Sequence, residues 1–220
     1  MKHKIITFGE LMLRLSPDNN ERFTQAHSYE AVYGGGEANT AVSLANFNVD
    51  TRYVTKLPKH TIGQSAVNSL RQYGVDVSRI VRGGDQIGIY FLEKKTSQRP
   101  TNVIYNRNGS AFALAAKEDF DWDSIFDGAT WFHFSGITPA ISDNMAEITI
   151  EACKEAKKRD ITVSCDLNYR SKLWSSEKAN KVMSEVCRYV DICIANEDDA
   201  VGIFGMDASK SDKEKNAYIA

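Results

Sequence analysis

Residues 131–166 read WFHFSGITPAISDNMAEITIEACKEAKKRDITVSCD, and this stretch decides the fold class. Trp131–Ser135 and residues 161–166 are short runs rich in aromatic and β-branched residues, each of which reads as a buried strand. Between them Met145, Ile148, Ala152, Cys153 and Ala156 fall on one face at helical spacing, with Lys and Glu filling the other, which predicts a helix over 143–159. Parallel strands need a crossover, and a helix supplies it. The same rhythm extends outward in both directions. Strands are expected at Lys4–Phe8, 51–56 and 192–195, and helices at 37–46, 61–73 and 176–190. The expected core is therefore an α/β domain with a mainly parallel sheet, whose functional groups collect at the carboxyl ends of the strands.

Two regions break the rhythm. Segments of about 11–33 and 87–106 alternate apolar and polar residues and read as antiparallel strands outside the main sheet. A small sheet of this kind is suited to cover a cleft or to pair with another subunit. Residues 207–220 are mostly polar, and a sheet ending there would leave its last helix poorly packed, so the chain reads as an incomplete domain.

Composition narrows the function classes. The 220 residues carry 27 Lys and Arg against 29 Asp and Glu, a net charge of −2 without the basic excess of a nonspecific nucleic-acid binder. The sequence contains no long apolar run, and the chain reads as a soluble cytoplasmic protein without a membrane partner. Cys153, Cys165, Cys187 and Cys193 match neither a redox pair nor a zinc ribbon and read as reduced core residues. His3, His27, His60 and His133 lie in separate segments with no metal-binding spacing, and His133 reads as a core histidine.

Three motifs carry chemistry. Gly34-Gly35-Gly36-Glu37-Ala38-Asn39 joins an extended segment to a helix, where glycines permit positive φ or close approach and the helix start offers free N–H groups. It fits an anionic or hydroxyl-rich ligand, or simply a tight turn. Asp166-Leu167-Asn168-Tyr169-Arg170 leaves a strand end and projects polar groups into a crevice. Arg170 there suits a transferring phosphoryl group or a carboxylate, or else a surface ion pair. Asn196-Glu197-Asp198-Asp199 suits Mg²⁺ held largely through water, and equally a helix cap with Asn196 as the capping residue.

Together with Phe8-Gly9-Glu10, Gly74-Val75-Asp76, Ser135-Gly136-Ile137-Thr138-Pro139-Ala140 and Leu173-Trp174, these motifs resemble the ribokinase-like (PfkB) carbohydrate kinases over essentially the whole chain. The resemblance is strongest to the family's 2-keto-3-deoxygluconate kinase branch. It implies a three-layer sandwich with a β lid, here lacking its C-terminal part, and phosphorylation of a keto-deoxy sugar acid at its terminal hydroxyl by ATP with Mg²⁺. By resemblance Gly34, Gly35, Gly36 and Asn39 hold the sugar hydroxyls, and Tyr90, Tyr105 and Arg107 come from the lid. Arg107 or Arg170 then faces the carboxylate. Asn168, Arg170 and Asn196 approach the nucleotide, Arg170 stabilises charge on the transferring group, and Asp199 stands in the metal region. A homodimer through the lid is implied as well.

The sequence departs from the family pattern in three places. Pro58-Lys59-His60-Thr61-Ile62-Gly63 stands where the family has Gly-x-Asp-x-x-Gly, and Asp199 replaces the family's Glu. The Gly-Ala-Gly-Asp signature that carries the catalytic base does not occur, so the chain as written is expected to bind sugar acid without turning it over. Sibling readings are a fructose or nucleoside kinase, and a truncated, non-catalytic sugar-acid-binding or dimerisation protein.

Overall fold

The computed structural model describes residues 3–206. The path begins with β1 (Lys4–Phe8), β2 (Met12–Pro17), β3 (Tyr29–Gly34), α1 (Gly36–Asn46), β4 (Asp50–Val54) and β5 (Lys56–Leu57). It continues through α2 (Thr61–Arg71), β6 (Val81–Arg82), β7 (Ile89–Glu93), β8 (Asn102–Asn106), α3 (Trp122–Ile125) and β9 (Trp131–Ser135). It ends with α4 (Ile137–Ala140), α5 (Asp143–Lys157), β10 (Thr162–Asp166), α6 (Ser176–Val186), β11 (Ile192–Ile194) and α7 (Glu197–Phe204).

Five strands form the central sheet in the order β11-β10-β9-β1-β4, every pair parallel. Because side chains alternate across a strand, Tyr53 and Val54 of β4 point into different cores. Tyr53 packs with Ala38 and Ala41 of α1 and Ala66, Val67 and Leu70 of α2. Val54 joins Phe8, Phe132 and Phe134 against Trp122, Phe126 and the apolar stripe of α5. Helices thus cover both faces, giving the three layers expected. The α5 stripe is the one read from sequence: Met145, Ile148, Ala152, Cys153 and Ala156 are all buried. Ser142 caps that helix by accepting the Met145 N–H at 3.2 Å, and Lys154 and Lys157 sit in its last turn, where the dipole favours cations.

The two interrupting segments build a separate four-stranded sheet, β3-β2-β7-β8. Its outer pairs are antiparallel as expected, but β2 and β7 run parallel, joining Leu13 to Ile89. Alternation shows that a strand has two unlike faces; it carries no information about the direction of its neighbour. The predicted strand at 51–56 is also divided. The chain leaves the main sheet after Val54, and Lys56–Leu57 pairs with Val81–Arg82 in a sheet of two strands. The helix predicted at 176–190 stops at Val186 and tightens into a 3₁₀ turn through Tyr189. Cys153 and Cys165 are core residues as expected, whereas Cys187 is half-buried and Cys193 exposed. His133 is half-buried and its Nδ1 pairs with Ser164 Oγ at 2.9 Å. The polar stretch 207–220 lies outside the described residues.

His60 explains one departure from the family pattern. It is the N-cap of α2, where its Nδ1 accepts the Gly63 N–H at 3.4 Å while Nε2 faces the Asp85 carbonyl at 3.2 Å. The imidazole thus supplies a helix cap at the position where the family has an acid. Gly63 is retained because a Cβ there would lie 2.0 Å from the Pro58 carbonyl oxygen. His60→Ala is expected to lower stability by about 1 kcal/mol, the ordinary cost of a lost cap, read as a lower urea midpoint with an unchanged slope.

Candidate active site

The glycine turn sits between β3 and α1, and its chemistry starts from space. None of Gly34, Gly35 and Gly36 has a positive φ, so of the two freedoms glycine offers there, positive φ and close backbone approach, the turn does not use the first. Gly35 has φ −178°, an extended conformation open to any residue. Its constraint is contact: a Cβ there would lie 2.2 Å from the Glu10 carbonyl oxygen. At Gly34 the space is looser, with Asn39 Oδ1 and the Tyr90 hydroxyl about van der Waals distance from where a Cβ would stand. Gly34, Asn39 and Tyr90 are thus gathered at one point. Gly34 and Asn39 also line a cavity of about 350 Å³ with Leu11, Tyr33, Ser69 and Tyr73.

Glu37, in the first turn of α1, is buried below this turn. Its Oε1 accepts the Ser135 N–H at 2.9 Å and the Thr138 hydroxyl at 3.4 Å, tying α1 to the exit of β9. Burial pushes its carboxyl up, against the lowering effect of the Ser135 hydrogen bond. Sequence reasoning passed over this residue. Its signal was an acid directly after three glycines, at a helix start packed on the sheet.

The lid contributes an ordered column. Tyr90 on β7 and Tyr105 on β8 are register partners whose rings stack at 5.8 Å. The Arg107 guanidinium stands 5.9 Å from the Tyr105 ring centre, within cation–π range. Arg107 is only 7% exposed and its Nε donates to Glu10 Oε2 at 2.8 Å, with Nη2 donating to the same oxygen. Ser110 Oγ donates to the other oxygen, Oε1, at 2.5 Å. Burial raises the Glu10 carboxyl, with the Arg107 charge opposing. Neither Glu10 nor Ser110 figured among the candidates, although Gly9-Glu10 carried the resemblance.

A second cavity, of about 680 Å³, is lined by Tyr105, Arg107, Ile137, Tyr169, Arg170 and Leu173 among others. Two arginines 63 positions apart in the chain therefore face one space. Arg170 is exposed, its Nη1 donates to the Tyr169 carbonyl at 3.0 Å, and no carboxylate pairs with it among the described residues. The surface ion pair that was its structural alternative is not formed there.

Gly34, Gly35, Gly36, Asn39 and Tyr90 do not line this cavity, which shares no lining residue with the first, and the remaining candidates are not brought to it either. Asn168 turns the chain at φ 40°, a left-handed conformation that asparagine tolerates, and lines neither cavity. Asn196 and Asp199 form a reciprocal capping box on α7: Asn196 Oδ1 accepts the Asp199 N–H at 2.8 Å, and Asp199 Oδ2 accepts the Asn196 N–H at 3.2 Å. Asp199 Oδ1 accepts the Tyr169 N–H at 2.8 Å. Both oxygens of this buried carboxylate serve backbone amides, and no three His, Cys, Asp or Glu side chains converge into a metal cluster among the described residues. The donor set does not fit a protein-held Mg²⁺. The geometry gives Asp199 a cap, and through Tyr169 a hold on the loop that carries Arg170.

A parallel sheet with helices on both faces, a separate β lid and a cavity lined by two arginines at the lid make a lidded three-layer α/β scaffold. Residues 2–219 match the family described as pfkB family carbohydrate kinase, and the chain belongs to that family. A 2-dehydro-3-deoxygalactonokinase of Haloferax volcanii is 37% identical over 209 residues, covering 94% of this chain and 65% of the relative. A crystal structure of 2-dehydro-3-deoxygluconokinase from Thermotoga maritima is 48% identical with a TM-score of 0.94, covering 97% of this chain and 65% of that one. A PfkB family carbohydrate kinase from Listeria grayi is 36% identical with a TM-score of 0.91, covering 96% and 66% of the two chains. The chain thus spans about two thirds of the length of these relatives. Among the described residues no helix is long and apolar enough to cross a membrane.

The raised carboxyl of Glu37 has a signed consequence. A folded-state value above the unfolded one means that stability falls as pH rises from the ordinary glutamate range through the raised value. Glu37→Gln keeps an acceptor for Ser135 and removes that titration, so its urea midpoint is expected to vary less with pH across this window than that of the wild type.

Proposed function

We propose that the chain carries the substrate-binding and lid portion of a kinase that transfers the γ-phosphoryl group of ATP to the terminal hydroxyl of 2-keto-3-deoxygluconate. The observation that carries this reading is the convergence of Arg107 and Arg170 on one cavity under Tyr105. A guanidinium matches a carboxylate with a planar fork of donors, and a sugar acid offers one at the end remote from the terminal hydroxyl. The names of two relatives, each acting on a 2-dehydro-3-deoxy sugar acid, support the same substrate class.

In this reading Gly34, Gly35, Gly36 and Asn39 receive the hydroxyl-bearing part of the sugar. The gap at Gly34 is bounded by the Asn39 amide oxygen and the Tyr90 hydroxyl, both able to hydrogen-bond it. Tyr90 and Tyr105 roof the site and keep out water, a competing acceptor for the phosphoryl group. Arg107 takes the carboxylate. Arg170, exposed and unpaired with any acid among the described residues, shares that task or meets negative charge on the transferring group. Phosphoryl transfer asks for alignment and charge neutralisation more than covalent help, which suits a site built from donors. Asn168 and Asn196 belong to the nucleotide side of this proposal. Asp199 is committed to its cap, so the Mg²⁺ of this proposal, which would neutralise phosphate charge, would have to be held by groups other than Asp199.

The lid sheet has free edges at β3 and β8, and Tyr29, Ile104 and Tyr105 expose apolar surface there. A homodimer through the lids, in the cytoplasm, is part of the proposal. Ile104→Lys is then expected to shift the complete protein from dimer to monomer in light scattering; a wild type already monomeric at micromolar concentration defeats it.

The catalytic reading is tested with the complete protein, ATP and three acceptors: 2-keto-3-deoxygluconate, its galactonate epimer and fructose. Either sugar acid is expected to outrun fructose, and equal rates on acid and fructose discard acid specificity. Arg170→Gln is expected to raise KM for the acid about 10–100-fold, the scale of a lost hydrogen bond to a charged group. A KM for the acid that does not change removes Arg170 from the carboxylate.

A further inference from the structure

Arg107 cannot be understood as a free guanidinium waiting for a substrate. It is 7% exposed, and its partner Glu10 is 5% exposed. Glu10 lies at the exit of β1 in the core, and Arg107 just beyond β8 of the lid, 97 positions away. Two charges removed from water in this way are held only at a desolvation cost, and a fixed geometry must recover it.

The geometry is specific about which donors are spent. Nε and Nη2, neighbours on one edge of the guanidinium, both donate to Glu10 Oε2. Nη1 donates to no protein acceptor among the described residues, yet Arg107 lines the 680 Å³ cavity. One edge is therefore clamped, and the far end is left with N–H groups that bond no protein acceptor among the described residues and face the cavity, open to water or to an incoming acceptor. The clamp is itself braced. Ser110 Oγ holds Glu10 Oε1 at 2.5 Å and accepts the Ala113 N–H at 3.1 Å, and the Tyr105 ring supports the guanidinium at 5.9 Å. A Cβ on Gly88 would lie 2.5 Å from Glu10 Oε1, so the carboxylate is packed as well as bonded.

We propose that Glu10 is a positioning residue for anion recognition: it clamps one edge of Arg107 so that the opposite end meets the substrate carboxylate, without touching the substrate itself. This inference rests on the sugar-acid reading above. It adds to that reading the statement that affinity for the carboxylate depends on an acid, a dependence that simple charge attraction would give the other sign. Were Arg107 only a source of positive charge, a nearby carboxylate would weaken anion binding and its removal would strengthen it. If orientation governs, removal weakens binding.

The test is calorimetric binding of 2-keto-3-deoxygluconate, and of its uncharged amide, to the complete protein. Glu10→Gln preserves size and one acceptor while removing the charge that grips the fork. It is expected to weaken binding of the acid about 10-fold and to change binding of the amide by less than about 2-fold. In an Arg107→Met background the same substitution is expected to have no further effect on the acid, since the two residues act through one another. Ser110→Ala leaves the ion pair intact and removes only its brace. It is expected to weaken acid binding in the same direction by about 3-fold, and it serves if Glu10→Gln does not fold. Acid binding that is unchanged or tighter in Glu10→Gln overturns the inference while leaving the substrate reading standing. Equal losses for acid and amide assign Glu10 a merely structural role and also overturn it. A wild type that binds no sugar acid fails the substrate reading, and the inference falls with it.

Discussion

The contact between Glu10 and Arg107 joins the two parts of this molecule. Apolar packing of Leu13, Tyr33 and Ile89 of the lid strands onto the cluster around Leu11 and Ile87 brings the lid against the core. Such packing is non-directional and tolerates sliding. The buried pair does not, because displacing either partner leaves an uncompensated charge at a cost of about 3–5 kcal/mol. Hydrophobic contact therefore holds the lid down, and electrostatics sets its angle. That division matters because the same arginine that fixes the lid also lines the cavity the lid covers.

Close approach of backbone, rather than unusual backbone conformation, shapes the floor of the site. Gly35 admits the Glu10 carbonyl, and Gly136 admits that of Leu167, where a Cβ would lie 2.2 Å from the oxygen in each case. Each contact places a loop at the carboxyl end of the sheet against its neighbour: the glycine turn against the exit of β1, and the exit of β9 against the exit of β10. Glu37 continues the series by receiving the Ser135 N–H. The loops after β1, β9 and β10 are thus packed as one rigid platform, and Arg170 stands on its margin.

What could be read in the sequence follows from the range of each signal. Apolar runs and helical spacing are local, and the strands at Lys4–Phe8 and Trp131–Ser135 and the core face of α5 lay open to inspection. Pairing direction depends on a distant segment, and the parallel join between β2 and β7 was hidden for that reason. The candidate site divides in the same way. Gly34, Asn39 and Arg170 stood out in motifs suited to an anionic or hydroxyl-rich ligand, while Tyr90, Tyr105 and Arg107 entered only through the family resemblance. Glu10, Glu37 and Ser110 work on other protein groups, and their use exists only once segments about 100 positions apart have met. Asp199 shows an ambiguity of composition. An acid-rich run has the composition of a metal site and of a helix cap alike, and only the position of both oxygens against backbone amides separates them.

Discrimination between an acid and a neutral sugar follows from the unspent donors of Arg107. A neutral ligand that filled the cavity would strip water from those N–H groups and give back no charged acceptor, and a buried donor left unpaired costs about 1–3 kcal/mol or more for a charged group. Sites built to bond a particular polar group reject analogues lacking it far better than apolar pockets reject a missing methylene. Glu10 sharpens this effect under the proposed reading. Because its carboxylate already holds one edge of the guanidinium, Arg107 cannot swing out to recover solvent when the wrong sugar arrives. A flexible arginine would soften the penalty by moving; a clamped one enforces it. Selectivity then arises from the immobility of the charge as much as from its sign, and the residue that supplies the immobility is an acid.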